Sequence, residues 1–431
     1  MEIKKLGNIA DVKISNVDKK TKKDEIPVRL CNYVDVYYNW AVTSELCNSF
    51  MKASAKETEI EKFSLSKGQV AITKDSETRF DIGISTYIAD DLDNVILGYH
   101  CALISPDQSL LNGKYLNALL HSKYAKTYFA NNATGSGQRF TISETTINSF
   151  PIPLLPLEEQ EKIGNYLSDI DRKIALNQKQ NFLLEQLAKQ IFDYWFFQFD
   201  FPTEQGLPYK TSGGGMTYNE DLKIMIPDCW TVGSIGDCIT YNRGHSYTGE
   251  NLSPSGLPMI NMANFTPTGK YNPKGIKYYS GRLNREKYLS PYDLVICNTQ
   301  QTAIDFKKDI IGRALLIPDI FDGDVISSHH VTTIKCNVDQ MRFYFYYLFN
   351  SDYFHKYISK HTNGTNILSL LTIGLEKYKI IIPDENTLEN FSKLILDIQK
   401  KISSNIKDTS SLEKLRQMNV ELLINRQVKI K

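Results

Sequence analysis

Apolar residues recur in steps of four and three along two stretches, Leu157 to Trp195 and Leu388 to Leu423, the spacing that keeps one face of an α-helix apolar. In the first, the seam runs Ile163, Leu167, Ile170, Ile174, Asn177, Asn181, Leu184, Ala188, Ile191 and Trp195. A shift of 228 positions lays Ile163, Leu167, Ile170 and Ile174 on Phe391, Ile395, Ile398 and Ile402, Asn177 on Asn405, and Leu184 on Leu412. A lone amphipathic helix ordinarily packs on its own domain. Two in register at one offset predict helices packed on each other as an antiparallel coiled coil, with Asn177 and Asn405 meeting near a pseudo-two-fold axis and setting the register. Past Leu412 the seam weakens, because Arg416 and Asn419 take seam positions, so the last turns are expected to face something else.

The repeat extends more faintly into the rest of the chain. Leu6-Gly7-Asn8-Ile9-Ala10-Asp11 matches Val232-Gly233-Ser234-Ile235-Gly236-Asp237, and the strand-like Gln69 to Thr73 matches Leu294 to Asn298. An aromatic helix, Tyr115 to Phe129, precedes a glycine loop at Thr134 to Gln138, as Phe343 to Tyr357 precedes Asn363-Gly364-Thr365-Asn366. Short β-rich runs, Val95 to Ile104 and Val325 to Ile334, mix with these helices, so each half reads as an α+β domain followed by a long helix. Proline and glycine mark the joins: Pro151 to Pro156, Pro202 to Pro208, Gly213 to Gly215 and Pro383.

A chain of 431 residues exceeds what one core usually serves, and 42% hydrophobic content with 25 Tyr and 20 Phe argues for folded domains. Seven scattered cysteines without a CxxC pair fit neither a disulfide framework nor a zinc site. With no signal-like N-terminus and no membrane-length apolar run, this places the chain in the cytoplasm, off the membrane.

Bond-breaking chemistry is hard to find. The chain has no GxxxxGK[ST], HExxH, GxSxG or kinase motif, and its glycine runs lack the strand-turn-helix context of a nucleotide site. His329-His330, in a strand-like run, reads as a packed or solvent-facing pair, and Asp319, Asp322 and Asp324 as charges on a turn rather than metal ligands. The reading is therefore of a non-enzyme that holds no cofactor and no metal.

Nucleic acid is the better target. A net charge of +1 is low for a DNA binder, so basic residues must gather on one face or a partner must add more. Lysine, arginine and tyrosine interleave from Lys270 to Tyr288, where Lys270, Lys274, Lys277, Tyr278, Arg282 and Arg285 suit phosphate contact and stacking, although a solvated charged hairpin has the same composition. Lys19 to Lys23 reads as a mobile basic loop. The glycine loops carry base-reading side chains: Ser136, Gln138 and Arg139 in one half, Asn363, Thr365 and Asn366 in the other.

Phe150-Pro-Ile-Pro-Leu-Leu-Pro-Leu-Glu-Glu-Gln160, Asp193-Tyr-Trp-Phe196, Phe199-Asp-Phe-Pro202, Pro208-Tyr-Lys210, Ser212-Gly-Gly214 and Ile226-Pro-Asp-Cys-Trp230 together resemble the specificity (S) subunits of Type I restriction-modification enzymes. The tail from Pro383 to Phe391 departs from the pattern by lacking the PLxEQ wording. The resemblance implies two target recognition domains, at 1–155 and 202–383 with its linker, each reading half of a split double-stranded DNA site. Long helices at 156–201 and 384–431 would separate them and dock two methyltransferase (M) subunits. It also implies restriction/translocase (R) subunits, with S-adenosylmethionine, ATP and magnesium used on the partners. The seam from Ile163 to Trp195 would span about 48 Å, on the order of fourteen base pairs of unread spacer. Two other classes compete. A fused restriction or modification enzyme with an unrecognised catalytic domain is disfavoured by the missing NPPY-type and nuclease patterns. A coiled-coil interaction protein without a DNA role is disfavoured by the unlike sequences of the two halves.

Overall fold

Pro151–Leu154 is a strand that returns antiparallel to Glu2–Lys5, and Pro156 then releases the chain into a single helix, Leu157–Phe192. Glu158 and Glu159 sit in its first turn, where the helix dipole favours negative charge. Gln160 explains the PLxEQ wording: fully buried, it donates to the Leu110 and Leu155 carbonyls and accepts from the Asn112 N–H. The tail that lacks this wording uses other residues for the same purpose. Asp384 caps the helix Glu385–Ile424 by accepting from the Thr387 N–H and hydroxyl, and it also accepts the Trp230 indole N–H at 2.9 Å.

This computed structural model describes residues 2–283, 288–301 and 308–430. It forms two compact units, one running to Leu176 and resuming at Thr409, the other Asn177–Asp408, so the division falls inside both long helices rather than at their ends.

In the first unit a five-stranded sheet runs in the order Ala10–Ile14, Cys101–Pro106, Val70–Thr73, Ser85–Ile88, Ala41–Val42. Its apolar face packs on the helix Gly113–Leu120, Phe129, the seam residues Ile163, Leu167, Ile170 and Ile174, and Val420, Leu423 and Ile424 from the end of the chain. The first turns of one long helix therefore lie against the last turns of the other within this unit. Arg416 and Asn419, expected to face elsewhere, meet this same partner. Arg416 Nη1 lies 2.6 Å from Asp171 Oδ1 with its guanidinium 4.6 Å over the Trp40 ring, and Asn419 donates to the Tyr166 hydroxyl. The seam changes chemistry there because its neighbours are Asp171, Tyr166 and Trp40 rather than aliphatic residues.

The second unit holds a four-stranded sheet in the order Ile239–Arg243, Val331–Cys336, Leu294–Cys297, Ala314–Leu316, and a five-stranded sheet beside it. The core joins Phe192, Phe196, Trp230, the aromatic helix Met341–Asn350 and the seam residues Phe391, Ile395, Ile398 and Ile402, with Leu184 packed at its margin. Asn177 (2% exposed) donates to Asp408, while Asn405 (3% exposed) donates to Gln180 and Asn181. Partner numbers fall on one helix as they rise on the other, so the helix segments of this unit run antiparallel.

Three details depart from the pattern-based reading. The faint match of Leu6 with Val232 is out of structural phase. Leu6 has the role of Ile235, each N–H bonding the carbonyl just before the returning strand, Phe150 in one unit and Tyr378 in the other. Each predicted aromatic helix is two helices, Gly113–Leu120 with Lys123–Asn132 and Met341–Asn350 with Asp352–Ile358. Ser122 and Ser351 restart the chain by accepting the N–H of Ala125 and Phe354, as N-cap serines do. Finally, His329-His330 forms a turn between Val325–Ser327 and Val331–Cys336, with ring centroids 3.8 Å apart.

Candidate nucleic-acid interface

In the first unit, Thr134–Ser136 and Arg139–Thr141 form a hairpin closed by Gly137 and Gln138, and Asp75–Ser76 adds a third strand. Gly137 takes φ +50°, the positive value that a tight two-residue hairpin loop demands. Gln138 and Arg139 are exposed; the Ser136 side chain lies outside the described residues. Arg139 folds back, its Nη2 3.2 Å from Asp75 Oδ2 and 2.7 Å from His100 Nδ1, while that Nδ1 is 2.6 Å from the same carboxylate. Nδ1 can donate to Asp75 or accept from Arg139, not both at once, so this contact is one that Arg139 can leave. Burial works to raise the Asp75 pKa, but hydrogen bonds from His100, Thr141 and Lys74 and the Lys74 charge outweigh it and pull it down to about 2.

Aromatic residues flank this hairpin. The Arg79 guanidinium lies 5.3 Å from the Phe140 ring centroid, and the Tyr37 hydroxyl donates to Asp81 at 2.6 Å. Tyr33 and Tyr37 stack at 5.6 Å. Motif searching passed over them, although the clustered tyrosines of Tyr33 to Tyr38 are a visible signal.

The second unit repeats the arrangement with other residues. Thr362–Asn363 and Ile367–Leu370 form a hairpin whose third strand is Thr299–Gln301. Gly364 holds φ +119°, and a Cβ there would stand 2.0 Å from the Ile367 carbonyl, so only glycine fits. Asn363, Thr365 and Asn366 are exposed around the turn. His330 Nδ1 lies 2.6 Å from the Thr299 hydroxyl, at the place His100 holds beside Asp75. Each histidine follows another ring, Tyr99 at 3.5 Å or His329 at 3.8 Å, and directly precedes a central strand. That repeated device was also missed. Its signal is a ring-histidine pair placed one residue before matched strands.

The described residues of the basic run sit in different surroundings. Lys270 Nζ sits 4.5 Å over the Phe182 ring of the long helix, and Lys277 lies 5.8 Å over Tyr247 with its Nζ 3.4 Å from that hydroxyl. Tyr278 is half-buried, whereas Lys274 and Arg282 are exposed; Arg285 and Lys287 lie outside the described residues. In the Lys19 to Lys23 stretch, Lys22 pairs with Asp18 and Glu25. Asp322 pairs with Lys407 at 2.8 Å, and among the described residues no group of three or more His, Cys, Asp or Glu is placed to hold a metal. All seven cysteines are free thiols, and no helix among the described residues is long and apolar enough to cross a membrane.

Two mixed α/β units, each carrying a glycine-turned hairpin and a portion of both long helices, define the class. The family described as "Type I restriction modification DNA specificity domain" matches residues 1–186 and again 227–420, and the chain belongs to that family. Among curated relatives, a stretch of 308 residues is 26% identical to the Type I restriction enzyme MjaIX specificity subunit of Methanocaldococcus jannaschii, covering 70% of this chain and 66% of that one. The putative MjaX specificity subunit of the same organism is 22% identical over 436 residues, covering 100% of this chain and 94% of the relative. The crystal structure of a Type I restriction-modification system S subunit from M. genitalium shares the fold, with a TM-score of 0.57 at 13% identity, over 98% of this chain and 95% of the other.

Proposed function

We propose that this chain is the DNA-specificity subunit of a Type I restriction-modification system, reading a bipartite double-stranded target with two recognition heads and holding methyltransferase and restriction subunits around it. One observation carries the reading: the specificity-domain family matches twice, once in each globular half. The two hairpins differ in chemistry, Gln138 and Arg139 against Asn363, Thr365 and Asn366, as two unlike half-sites require. Arg and Gln pair bidentately with purine edges, and Asn reads adenine, so these residues are the proposed readers, with Lys274 and Arg282 on phosphates.

The long helices serve as spacer and docking surface. The antiparallel segments within each unit support a coiled coil about a pseudo-two-fold axis, with the buried Asn177 and Asn405 fixing its register. The chain itself is not catalytic. Between the two family matches lie only residues 187–226, a helix end and the hairpin Met216–Asn219 with Ile224–Pro227, too little for a catalytic domain. S-adenosylmethionine, ATP and magnesium act on the partner subunits, and the assembly works in the cytoplasm, where the seven free thiols stay reduced.

The test is selection of random duplexes by the chain assembled with its methyltransferase subunits. Two short specified blocks at a fixed separation are expected. A single uninterrupted block, or no selection, overturns the reading.

A further inference from the structure

Phe80 is the most exposed large apolar side chain among the described residues, at 83%. Leaving such a ring in water forgoes the stabilisation of burial, and a flexible loop would normally fold it back. Here the backbone prevents that. Phe80 occupies the 3-10 turn Arg79–Asp81, and both neighbours are pinned, Arg79 by its guanidinium over Phe140 and Asp81 by the Tyr37 hydroxyl. Ile82 then dives into the core, and Gly83, at φ +78°, lies where a Cβ would stand 2.7 Å from the Phe129 ring. The ring is held outward because the residues on either side of it are fixed by these contacts.

Its surroundings choose between partners. A protein interface needs a contiguous patch of roughly 800 Å² a side. Phe80 is instead a single ring next to Arg79, whose guanidinium lies over Phe140 on the hairpin that carries Gln138 and Arg139, with Tyr38 (69% exposed) edge-on to Tyr37 at 4.8 Å. Of the nearby carboxylates, Asp75 is paired with Lys74, His100 and Arg139, Asp81 accepts from Tyr37, and Glu77 is exposed. Isolated apolar rings among guanidinium and amide donors suit a base stack bordered by phosphates.

We propose that Phe80 is a wedge that enters one base step of the first half-site, partly unstacking it, while Gln138 and Arg139 read base edges beside it. The inference rests on the reading of the first unit as a DNA-recognition head. A phenyl face does not distinguish bases, so its selectivity comes from how readily a step unstacks. The wedged step is therefore pyrimidine-purine.

The test uses the full chain with its methyltransferase subunits and selected duplexes carrying 2-aminopurine at successive positions of the first half-site. Wild type should raise fluorescence at one step. Phe80→Ala should lose that signal and bind about tenfold more weakly, the worth of one stacking contact, while Phe80→Leu keeps most of both. Thermal unfolding of Phe80→Ala should match wild type, since no core contact is removed. Wild-type affinity and fluorescence in Phe80→Ala overturn the wedge, as does an equal loss on duplexes with the first half-site scrambled. A Phe80→Ala chain that no longer assembles with the methyltransferase subunits overturns it in favour of a protein contact. Failure of wild type to select any duplex removes the DNA reading itself, and the wedge with it.

Discussion

Arg139, though exposed, rests its guanidinium on Asp75 and His100, and this sets what its removal does. Arg139→Ala should relax selection at one half-site by about 1–3 kcal/mol per base lost, and Asn366→Ala at the other half-site only. Competition with singly mutated duplexes measures both, and equal effects on the two halves would count against separate readers. Asp75 gives a pH signature. Its pKa falls from 3.8 unfolded to about 2 folded, so the charged form stabilises the fold above pH 4, and the benefit disappears as pH falls from about 4 to 2. Asp75→Asn should be less stable than wild type at neutral pH by about 2 kcal/mol and converge with it near pH 2, as read by urea unfolding. Glycine placement and amide-bearing loops were legible in the sequence. The Asp75, His100 and Arg139 cluster was not, because its members lie 25 and 39 positions apart and only the strand pairing brings them together.

At the scale of elements, period alone found both long helices to within a few residues, because a stripe of mostly apolar residues at steps of four and three over many turns has few other meanings. It failed at short breaks. Ser122 and Ser351 each cap the second helix of a pair, and a single capping serine leaves the apolar period on both sides nearly intact. It also misjudged Arg416, which on the helical wheel is simply a charge on an apolar stripe. In the fold, burial raises the Asp171 pKa and the Arg416 charge opposes the rise, so the pair is held together against desolvation. Arg416→Ala strands that carboxylate and exposes the Trp40 face, which should cost about 3 kcal/mol. The double replacement Arg416→Leu with Asp171→Leu should recover part of it, as chemical denaturation would show. A double mutant no better than Arg416→Ala would mean that packing on Trp40, rather than charge, holds this crossing.

For the molecule as a whole, family membership was legible because the motifs around Pro151 to Trp230 are dense and placed at both ends of the central helix. Base preference was not, since it depends on side-chain reach. The proposed spacer role makes a length prediction. Seven residues inserted after Leu176 and after Asp408 keep the seam in phase and add about 10 Å of helix. The spacer recovered from random duplexes should then grow by about three base pairs, and an unchanged spacer would remove the measuring role.

The first unit closes its core with Val420, Leu423 and Ile424, residues that follow the entire second unit in sequence. The part made earliest on the ribosome therefore waits for residues made after the whole second unit. Nascent chains stopped at Asp408 should leave this unit open to protease while the Asn177–Asp408 unit resists, and release of the full chain should protect both. A copy that stops before Val420 is expected to leave its first unit unfinished, however much of that unit's earlier sequence it contains.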